Sequence, residues 1–214
     1  MRANFDKELD VLNKELINMG SLVEEQIQGA VEALKKRDKV LAEQVIQRDD
    51  EVDRLERIIE SNCLNLILRQ QPVAGDLRLI SAILKIITDL ERIGDQAQDI
   101  SRISLEFTDK EFIKELTHIP QMALATIEMV KKSIDAFVYQ DLDLARQVIQ
   151  FDDTVDGFFN IIKEELIHLI REDVNNGEQA IRFLMIAKYF ERIGDHAENI
   201  AEWVLFSMIG EHTT

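Results

Sequence analysis

The strongest constraint on this 214-residue chain is that its sequence repeats itself. Residues 41–53 (LAEQVIQRDDEVD) match residues 144–156 (LARQVIQFDDTVD) at 10 of 13 positions, 103 residues further along. A second pair, residues 89–101 and 189–201, matches at 7 of 13 positions with an offset of 100. One structural unit is therefore built twice, and the difference in offset indicates a loop that is three residues shorter in the second copy.

Each copy has the composition and the apolar spacing of long helices. The chain contains only 8 Gly and 2 Pro, too few for a fold with many turns. An apolar residue recurs every seventh position from Val45 to Leu66 and again from Val148 to Leu169, which gives a helix one continuous seam. The pattern predicts helices at residues 4–36, 40–70 and 76–105 in the first copy, and at 109–139, 142–172 and 178–208 in the second.

These helices define the expected fold class. It is all-α, with two tandem three-helix bundles, residues 1–107 and 108–214, related by a pseudo-twofold axis. The segment Thr108-Asp109-Lys110-Glu111 has the pattern of a capping box that opens the second half. Pro120 falls inside the fourth helix, where its ring removes a backbone donor, so we expect a kink or a late start there.

Charge and cysteine content exclude several classes of function. The chain has 41 acidic and 25 basic residues, a net charge of −16, and such a surface repels nucleic acids and anionic membranes. Cys63 is the only cysteine, which excludes an internal disulfide and fits a reducing compartment. Because we find neither a signal-peptide pattern nor a membrane-spanning stretch, we expect a cytoplasmic protein without membrane insertion.

The residues that folding explains least are two copies of the pentapeptide Glu-Arg-Ile-Gly-Asp, at residues 91–95 and 191–195. The carboxylates of Glu91 and Asp95, and of Glu191 and Asp195, lie four residues apart and therefore share one helix face, where like charges repel. The glutamates continue apolar stripes, so we expect them to be partly shielded from water and to need a cation. Each mid-helix glycine indicates a close approach of another group.

The second helix of each half adds another acid pair, Asp49 with Asp53 and Asp152 with Asp156. If the second and third helices are neighbours, two pairs converge in each bundle, and a site made of oxygen ligands suits Mg, Mn or Fe. Asp99 could extend the first site, whereas the second copy has Asn199. Spacing alone leaves a second interpretation open, in which nearby arginines form interhelical ion pairs with these acids; these are Arg54, Arg57, Arg92 and Arg192.

Two further classes of protein compete with a metal-binding bundle. Glu115 with His118, and Glu165 with His168, have the Glu-x-x-His spacing of ferritin-like di-iron proteins, although that site needs four helices around one centre. The other alternative is a helical adaptor without metal, in which the acid pairs form a solvated face. The chain has no motif of nucleophilic, dinucleotide-binding or phosphate-loop enzymes.

Three motifs together resemble the PhoU family of phosphate-specific transport system accessory proteins. They are the doubled Glu-Arg-Ile-Gly-Asp, the doubled segment V-I-x-x-D-D-x-V-D, and residues 71–78 (QPVAGDLR). The resemblance covers essentially the whole chain and implies a fold of two three-helix bundles. It also implies a cytoplasmic regulator without catalysis of its own.

The resemblance implies partners as well. Members couple the phosphate ABC transporter, through its ATPase subunit, to a two-component sensor histidine kinase, help to repress the phosphate-starvation response, and often form homodimers. Some carry multinuclear iron or other divalent-metal clusters on Glu/Asp-x-x-x-Asp motifs. The matching positions here are Glu91, Asp95, Glu191 and Asp195, together with Asp49, Asp53, Asp152 and Asp156 of the preceding helices. Asn199, where the first copy has Asp99, implies that the two halves need not hold metal equally.

Overall fold

The computed structural model describes residues 2–70, 72–107, 111–115 and 117–210, with side chains from Phe5 onwards. Across these residues the chain forms six α-helices and no strand. None of the six contains a stretch long and apolar enough to cross a membrane. The helices are α1 (Arg2–Lys36), α2 (Lys39–Gln70), α3 (Ala74–Ser104), α4 (His118–Tyr139), α5 (Leu142–Glu172) and α6 (Gly177–Ile209).

The turn that joins the first two helices of each half is the same in both copies. Arg37 and Gln140, 103 residues apart, both adopt the left-handed conformation, with φ of 54° and 53°. The aspartate that follows each of them caps the next helix: Asp38 accepts a hydrogen bond from the Leu41 amide, and Asp141 from two amides of α5. A side-chain oxygen at this position satisfies amides that the first helical turn leaves without a partner.

The fourth helix starts later than residue 109, the start predicted from the sequence. Residues 108–110 of the proposed capping box lie outside the described residues. Glu111 to Glu115 are not helical, and the buried Gln179 of α6 holds them by donating to the Glu111 carbonyl and accepting from the Ile113 amide. The helix begins at His118, which places Pro120 in the first turn, where a missing amide costs no helical hydrogen bond. The expected late start is thus confirmed.

Each set of three helices buries the predicted seam. Val45, Val52, Ile59 and Leu66 of α2 are at most 3% exposed, and the first three of their α5 counterparts are equally buried. Helices α1, α2 and α3 pack on one another, and α4, α5 and α6 form the corresponding second set. Cys63 is buried among these side chains, and burial raises the pKa of its thiol to about 12, as expected of a packing residue.

The two bundles meet along α3 and α6, with α1 and α4 also in contact. Helices α3 and α6 run antiparallel, because Asp89 near the middle of α3 contacts Asn199, whereas Asp99 further along contacts Tyr189. The four positions exchange under an offset of 100 residues, so the contacts obey the pseudo-twofold relation. The predicted fold class of two tandem three-helix bundles is confirmed. The predicted boundary between residues 107 and 108 stays a prediction.

Candidate metal centre

Helices α2 and α3 are neighbours, and they bring the two acid pairs of the first bundle close together. We call the carboxylates involved the first cluster: Asp49, Asp53, Glu56, Glu91 and Asp95. The charge of Asp95 acts on both Asp49 and Glu91, and Asp53 acts on both as well. The convergence expected from the spacing of the pairs is therefore present in the folded chain.

Asp49 is the most deeply placed member of the first cluster. Its side chain is 8% exposed, and its Oδ1 accepts a long hydrogen bond of 3.4 Å from Nε2 of the buried Gln26 on α1. Burial raises the pKa of this carboxyl to about 6, and the charges of Asp95 and Asp53 contribute in the same direction, against the hydrogen bond from Gln26. The Oε1 of Gln26 is buried beside Asp49 without a hydrogen-bond partner.

Gly94 is the point at which α3 comes closest to these two side chains. A Cβ at Gly94 would lie 3.1 Å from Oδ1 of Asp49 and 3.1 Å from Oε1 of Gln26. The pentapeptide carries glycine here because a larger residue would occupy the space above the two oxygens. The close approach predicted from the mid-helix glycine is confirmed.

Glu91 and Asp95 share one arginine. Arg92 lies 3.4 Å from Glu91 through its Nε and 3.1 Å from Asp95 through its Nη1. Glu91 is 19% exposed, as expected of a shielded position, and burial together with the charge of Asp95 raises the pKa of its carboxyl to about 7 despite Arg92. Arg57 approaches Asp53 at 3.9 Å. Ion pairing therefore neutralises the first cluster only in part.

The second bundle repeats this arrangement between α5 and α6. We call its carboxylates the second cluster: Asp152, Asp156, Glu191, Asp195 and Glu198. Burial raises the pKa of Asp152 to about 7, and Glu198 and Asp195 contribute further as like charges. A Cβ at Gly194 would lie 2.9 Å from Oδ1 of Asp152, so this glycine also marks the closest approach of the two helices.

The cation at the second cluster is a lysine. Lys188 pairs with Glu191, whose side chain is 14% exposed, which confirms that this glutamate is shielded. Burial and the charge of Glu191 raise the pKa of Asp195, while Lys188 lowers it. Burial and the charges of Glu202 and Asp195 raise the pKa of Glu198. The carboxylates of the second cluster therefore outnumber the cations described beside them.

Sequence reasoning missed Glu56 and Glu198, one in each cluster. Glu56 follows Asp53 by three residues and Glu198 follows Asp195 by three, so the same helical spacing could have found both. They were hidden because the repeat does not conserve them: Phe159 stands at the position of Glu56, and Gln98 at that of Glu198. Neither glutamate therefore belongs to a pair that both copies of the repeat share.

Asp99 and its counterpart Asn199 lie on the α3–α6 interface. Asp99 pairs with Arg102 at 2.9 Å and accepts from the Tyr189 hydroxyl, and Asn199 donates to Asp89 at 3.4 Å. We expected that Asp99 could extend the first cluster, but its contacts hold its side chain toward the other bundle. The Asp99–Asn199 difference belongs to the packing between bundles.

Two observations fit both clusters to a hard or borderline cation: their donors are oxygens, and the glycines leave open the space that a Cβ would fill. The first cluster has in addition a buried amide oxygen without a hydrogen-bond partner, Oε1 of Gln26. As the side chains stand, no group of three or more His, Cys, Asp and Glu residues in the described part of the chain is gathered tightly enough to hold a metal ion. Coordination would therefore require these side chains to rotate, and the eight predicted ligands stay a prediction.

The Glu-x-x-His residues are engaged elsewhere in the second bundle. Glu165 pairs with Lys114 and lies 2.7 Å from Nδ1 of His118. His168 is largely exposed and lies 3.4 Å from Glu172 on its own helix. Their setting is a bundle of three helices, which does not provide the four-helix centre of a ferritin-like di-iron site.

Comparisons with known proteins agree with this architecture. The model of the PhoU domain matches residues 16–104 and again residues 119–204. The phosphate-specific transport system accessory protein PhoU homolog of Clostridium acetobutylicum is 39% identical over 211 residues, which cover 98% of this chain and 96% of that protein.

Two solved structures are similar over almost the full length. The crystal structure of PhoU from Pseudomonas aeruginosa has a TM-score of 0.92 at 37% identity, covering 97% of this chain and 100% of that one. The crystal structure of the phosphate transport system regulatory protein PhoU from Streptococcus pneumoniae has a TM-score of 0.90 at 28% identity, covering 98% and 99%. With its family domain matched twice and its fold shared from end to end, this chain belongs to the PhoU family.

Proposed function

We propose that this protein is an accessory and regulatory component of a phosphate transport system, acting without catalysis of its own. The observation that carries the proposal is the match in sequence and fold over nearly the whole chain to proteins named for that role. The acid clusters support it, because they lie at corresponding places in both repeats and their carboxylates are not part of the apolar core.

The finer proposal concerns partners. We infer that the protein binds, in the cytoplasm, the ATPase subunit of a phosphate ABC transporter and a sensor histidine kinase, and represses the phosphate-starvation response when phosphate is ample. A rigid pair of helical bundles suits such a coupling role because it presents two related surfaces at a fixed separation. A homodimer would present each surface twice.

The surface proposed to do this work is formed by the two acid clusters. Divalent metal ions, iron or manganese among them, would neutralise the crowded carboxylates and hold them in one arrangement, and the charged face would meet basic patches on the partners. The predicted ligands are Asp49, Asp53, Glu91 and Asp95 in the first bundle, and Asp152, Asp156, Glu191 and Asp195 in the second. When bound, the ions supply charge and rigidity, and no reaction step is assigned to them.

The partner proposal is tested by co-purification. The ATPase subunit and the cytoplasmic part of the kinase, both from the genome that encodes this protein, are immobilised and exposed to the wild type and to the double variant Glu91→Ala/Glu191→Ala. We expect the wild type to be retained and the variant to be lost by about tenfold or more, since removing groups from a charged contact surface weakens binding.

A matched control removes two carboxylates that are not members of the clusters. Glu43→Ala/Asp143→Ala changes the charge equally, on exposed residues near the starts of α2 and α5. This control should bind like the wild type. Undiminished retention of Glu91→Ala/Glu191→Ala would contradict the proposed surface, and no retention of the wild type by either partner would contradict the proposed partners.

A further inference from the structure

Helices α3 and α6 together form one outer face of the molecule. Exposed residues occur along the whole length of both helices, on one side of each: Leu77, Lys85, Thr88, Arg92 and Arg102 of α3, and Ile181, Met185, Arg192, Asp195 and Ile209 of α6. We call these ten residues the α3–α6 face. The Lys85 ammonium lies 5.7 Å from the centre of the Trp203 ring, and Arg102 and Arg192 both act by their charge on Tyr189, so the two exposed sides adjoin.

The pseudo-twofold axis passes through the centre of the α3–α6 face. Asp89 contacts Asn199, and the equivalent contact joins Asp99 to Tyr189. The midpoint of this antiparallel register is the glycine of each Glu-Arg-Ile-Gly-Asp pentapeptide. Rotation about this midpoint therefore exchanges the two ends of the face.

One end of the face carries Leu77 and Ile209. Their side chains are 42% and 46% exposed. They lie at the same end because Gly210, which follows Ile209, is placed against Arg78, which follows Leu77: a Cβ at Gly210 would lie 3.7 Å from Nε of that arginine. Trp203, half-buried on α6 between Ile209 and the axis, adds apolar surface at this end.

The other end carries Ile181 and Met185 of α6. Their side chains are 59% and 41% exposed, and they lie about one helical turn apart. The corresponding positions of α3 are Ser81 and Lys85. Each end is therefore apolar through residues of its own, and not because the repeat places identical residues at both ends.

The centre of the face is acidic. Residues 85–102 and 185–202 carry eight aspartates and glutamates against five lysines and arginines, and α2 and α5 add the aspartates of the two clusters. The face is therefore complementary to a surface that is basic at its centre and apolar at its ends. A second copy of this chain is a poor match, because the two acidic centres would meet and repel each other.

We propose that the α3–α6 face binds a protein that is itself a twofold dimer, aligned on the pseudo-twofold axis, so that one copy of this chain spans two partner subunits. Each subunit would offer the same surface, basic near the axis and apolar further out, to one end of the face. A surface that repeats about an axis matches a partner of the same symmetry at both ends at once. The inference rests on the proposed function and deepens it by specifying the form of the regulatory partner.

The composition of the complex is the first test. The full chain is mixed with an excess of the ATPase subunit, or of the cytoplasmic part of the kinase, and the masses of the complexes are measured by native mass spectrometry. We expect every complex that forms to contain two partner subunits for each copy of this chain. A ratio of one to one would overturn the inference and leave the proposed partners in place.

Variants at the two ends test whether both are used. Leu77→Glu/Ile209→Glu and Ile181→Glu/Met185→Glu are matched, because each places two carboxylates on exposed apolar positions at one end of the face. We expect each pair to weaken binding to the immobilised partner by about tenfold or more, since each end contacts one partner subunit. The combined variant should lose binding altogether.

A control pair adds the same two charges elsewhere on the molecule. Val11→Glu/Leu124→Glu alters exposed apolar residues of α1 and α4, outside the α3–α6 face, and should bind like the wild type. Circular dichroism melting confirms that each variant is folded before its binding is compared. Weakening by only one of the two end variants would overturn the inference, because a partner held at one end does not span the axis. No complex with either partner would overturn both the inference and the proposed partners.

Discussion

Gly194 is the residue at which α6 approaches α5 most closely. Replacing it with alanine has two opposing effects on stability, one from helix propensity and one from packing. Alanine favours a helix over glycine by about 1 kcal/mol. Its methyl group would, however, lie 2.9 Å from Oδ1 of Asp152 and 3.2 Å from a methyl of Val155, so both of these side chains must shift to accommodate it. Overpacking of this kind costs about 1–3 kcal/mol.

We therefore expect Gly194→Ala to lower the free energy of unfolding by about 1–2 kcal/mol in urea denaturation, despite the better helix former. Gly157→Ala is the matched control, because Gly157 lies within α5 and a Cβ there meets nothing within 4 Å. That control should raise stability by up to about 1 kcal/mol. A stabilised Gly194→Ala would contradict the account of the close approach.

Asp49 makes the stability of the metal-free protein depend on pH. The pKa of its carboxyl is raised from 3.8 to about 6, so between these values the folded protein binds more protons than the unfolded chain. Stability contributed by the protonated carboxyl is present below pH 4 and is lost as the pH rises through 6. The loss amounts to at most about 3 kcal/mol.

Asp49→Asn should remove this part of the pH dependence, since its amide does not titrate. The measurement is the difference in unfolding free energy between wild type and variant from pH 4 to 8, with chelator present. The difference should change in favour of the variant as the pH rises. Asp50→Asn, which removes a carboxylate from the exposed neighbour, is the matched control; a flat difference for Asp49→Asn would contradict the assignment.

At the residue scale, the repeat was enough to single out the acid pairs and the glycines that both halves share. It did not show how completely nearby cations neutralise each acid. The repeat identified Glu91 with Asp95 and Glu191 with Asp195, because identical residues at one helical spacing need no tertiary information. Gln26 could not be found in this way. Its importance depends on α1 packing beside Asp49, a contact between residues 23 positions apart.

At the scale of elements, the α3–α6 packing depends on a small set of polar contacts in an apolar interface. Asp89, which is 14% exposed, contacts Nδ1 of His196 at 2.9 Å and accepts a bond from Asn199 at 3.4 Å. Removing the carboxylate leaves both partners without an acceptor in a partly buried place. Leaving a buried polar group without its hydrogen-bond partner costs about 1–3 kcal/mol of the free energy of unfolding.

Asp89→Ala should therefore lower the free energy of unfolding by that amount. Asp89→Asn is the control that keeps an acceptor oxygen at nearly the same position, and it should cost less than half as much. Both are measured by urea denaturation. Equal costs for the two variants would show that the charge of Asp89, and not its hydrogen bonding, holds the helices together.

Helix boundaries were predictable where the signal is local. The predicted α2 and α5 differ from the observed helices by one residue or less at each end, since aspartate caps and a regular seam define them. The start of α4 was wrong by nine residues. A capping pattern at residues 108–111 favours a helix locally, but Glu111 and Ile113 are hydrogen-bonded to Gln179 of α6, a contact that no local pattern reveals.

At the scale of the whole molecule, the pseudo-twofold axis relates the helices of the two bundles. It does not relate all of their charged side chains. Duplication explains why both bundles place an acid pair beside a glycine, and why the α3–α6 contacts exchange under an offset of 100. Divergence after duplication explains why the first bundle has Arg102, Arg54 and Arg57 at the positions where the second has Glu202, Gly157 and Asn160. A fold with two related sets of carboxylates can thus give them different charged neighbours without altering its architecture.

Metal binding by the doubled acid clusters is measured by elemental analysis. The protein is purified without chelator and without a metal-binding tag, and the wild type is compared with Glu91→Ala/Glu191→Ala. We expect the wild type to carry iron or manganese, and the double variant, still folded, to have lost most of it. Wild-type protein without bound metal, or a double variant that retains the full amount, would contradict it.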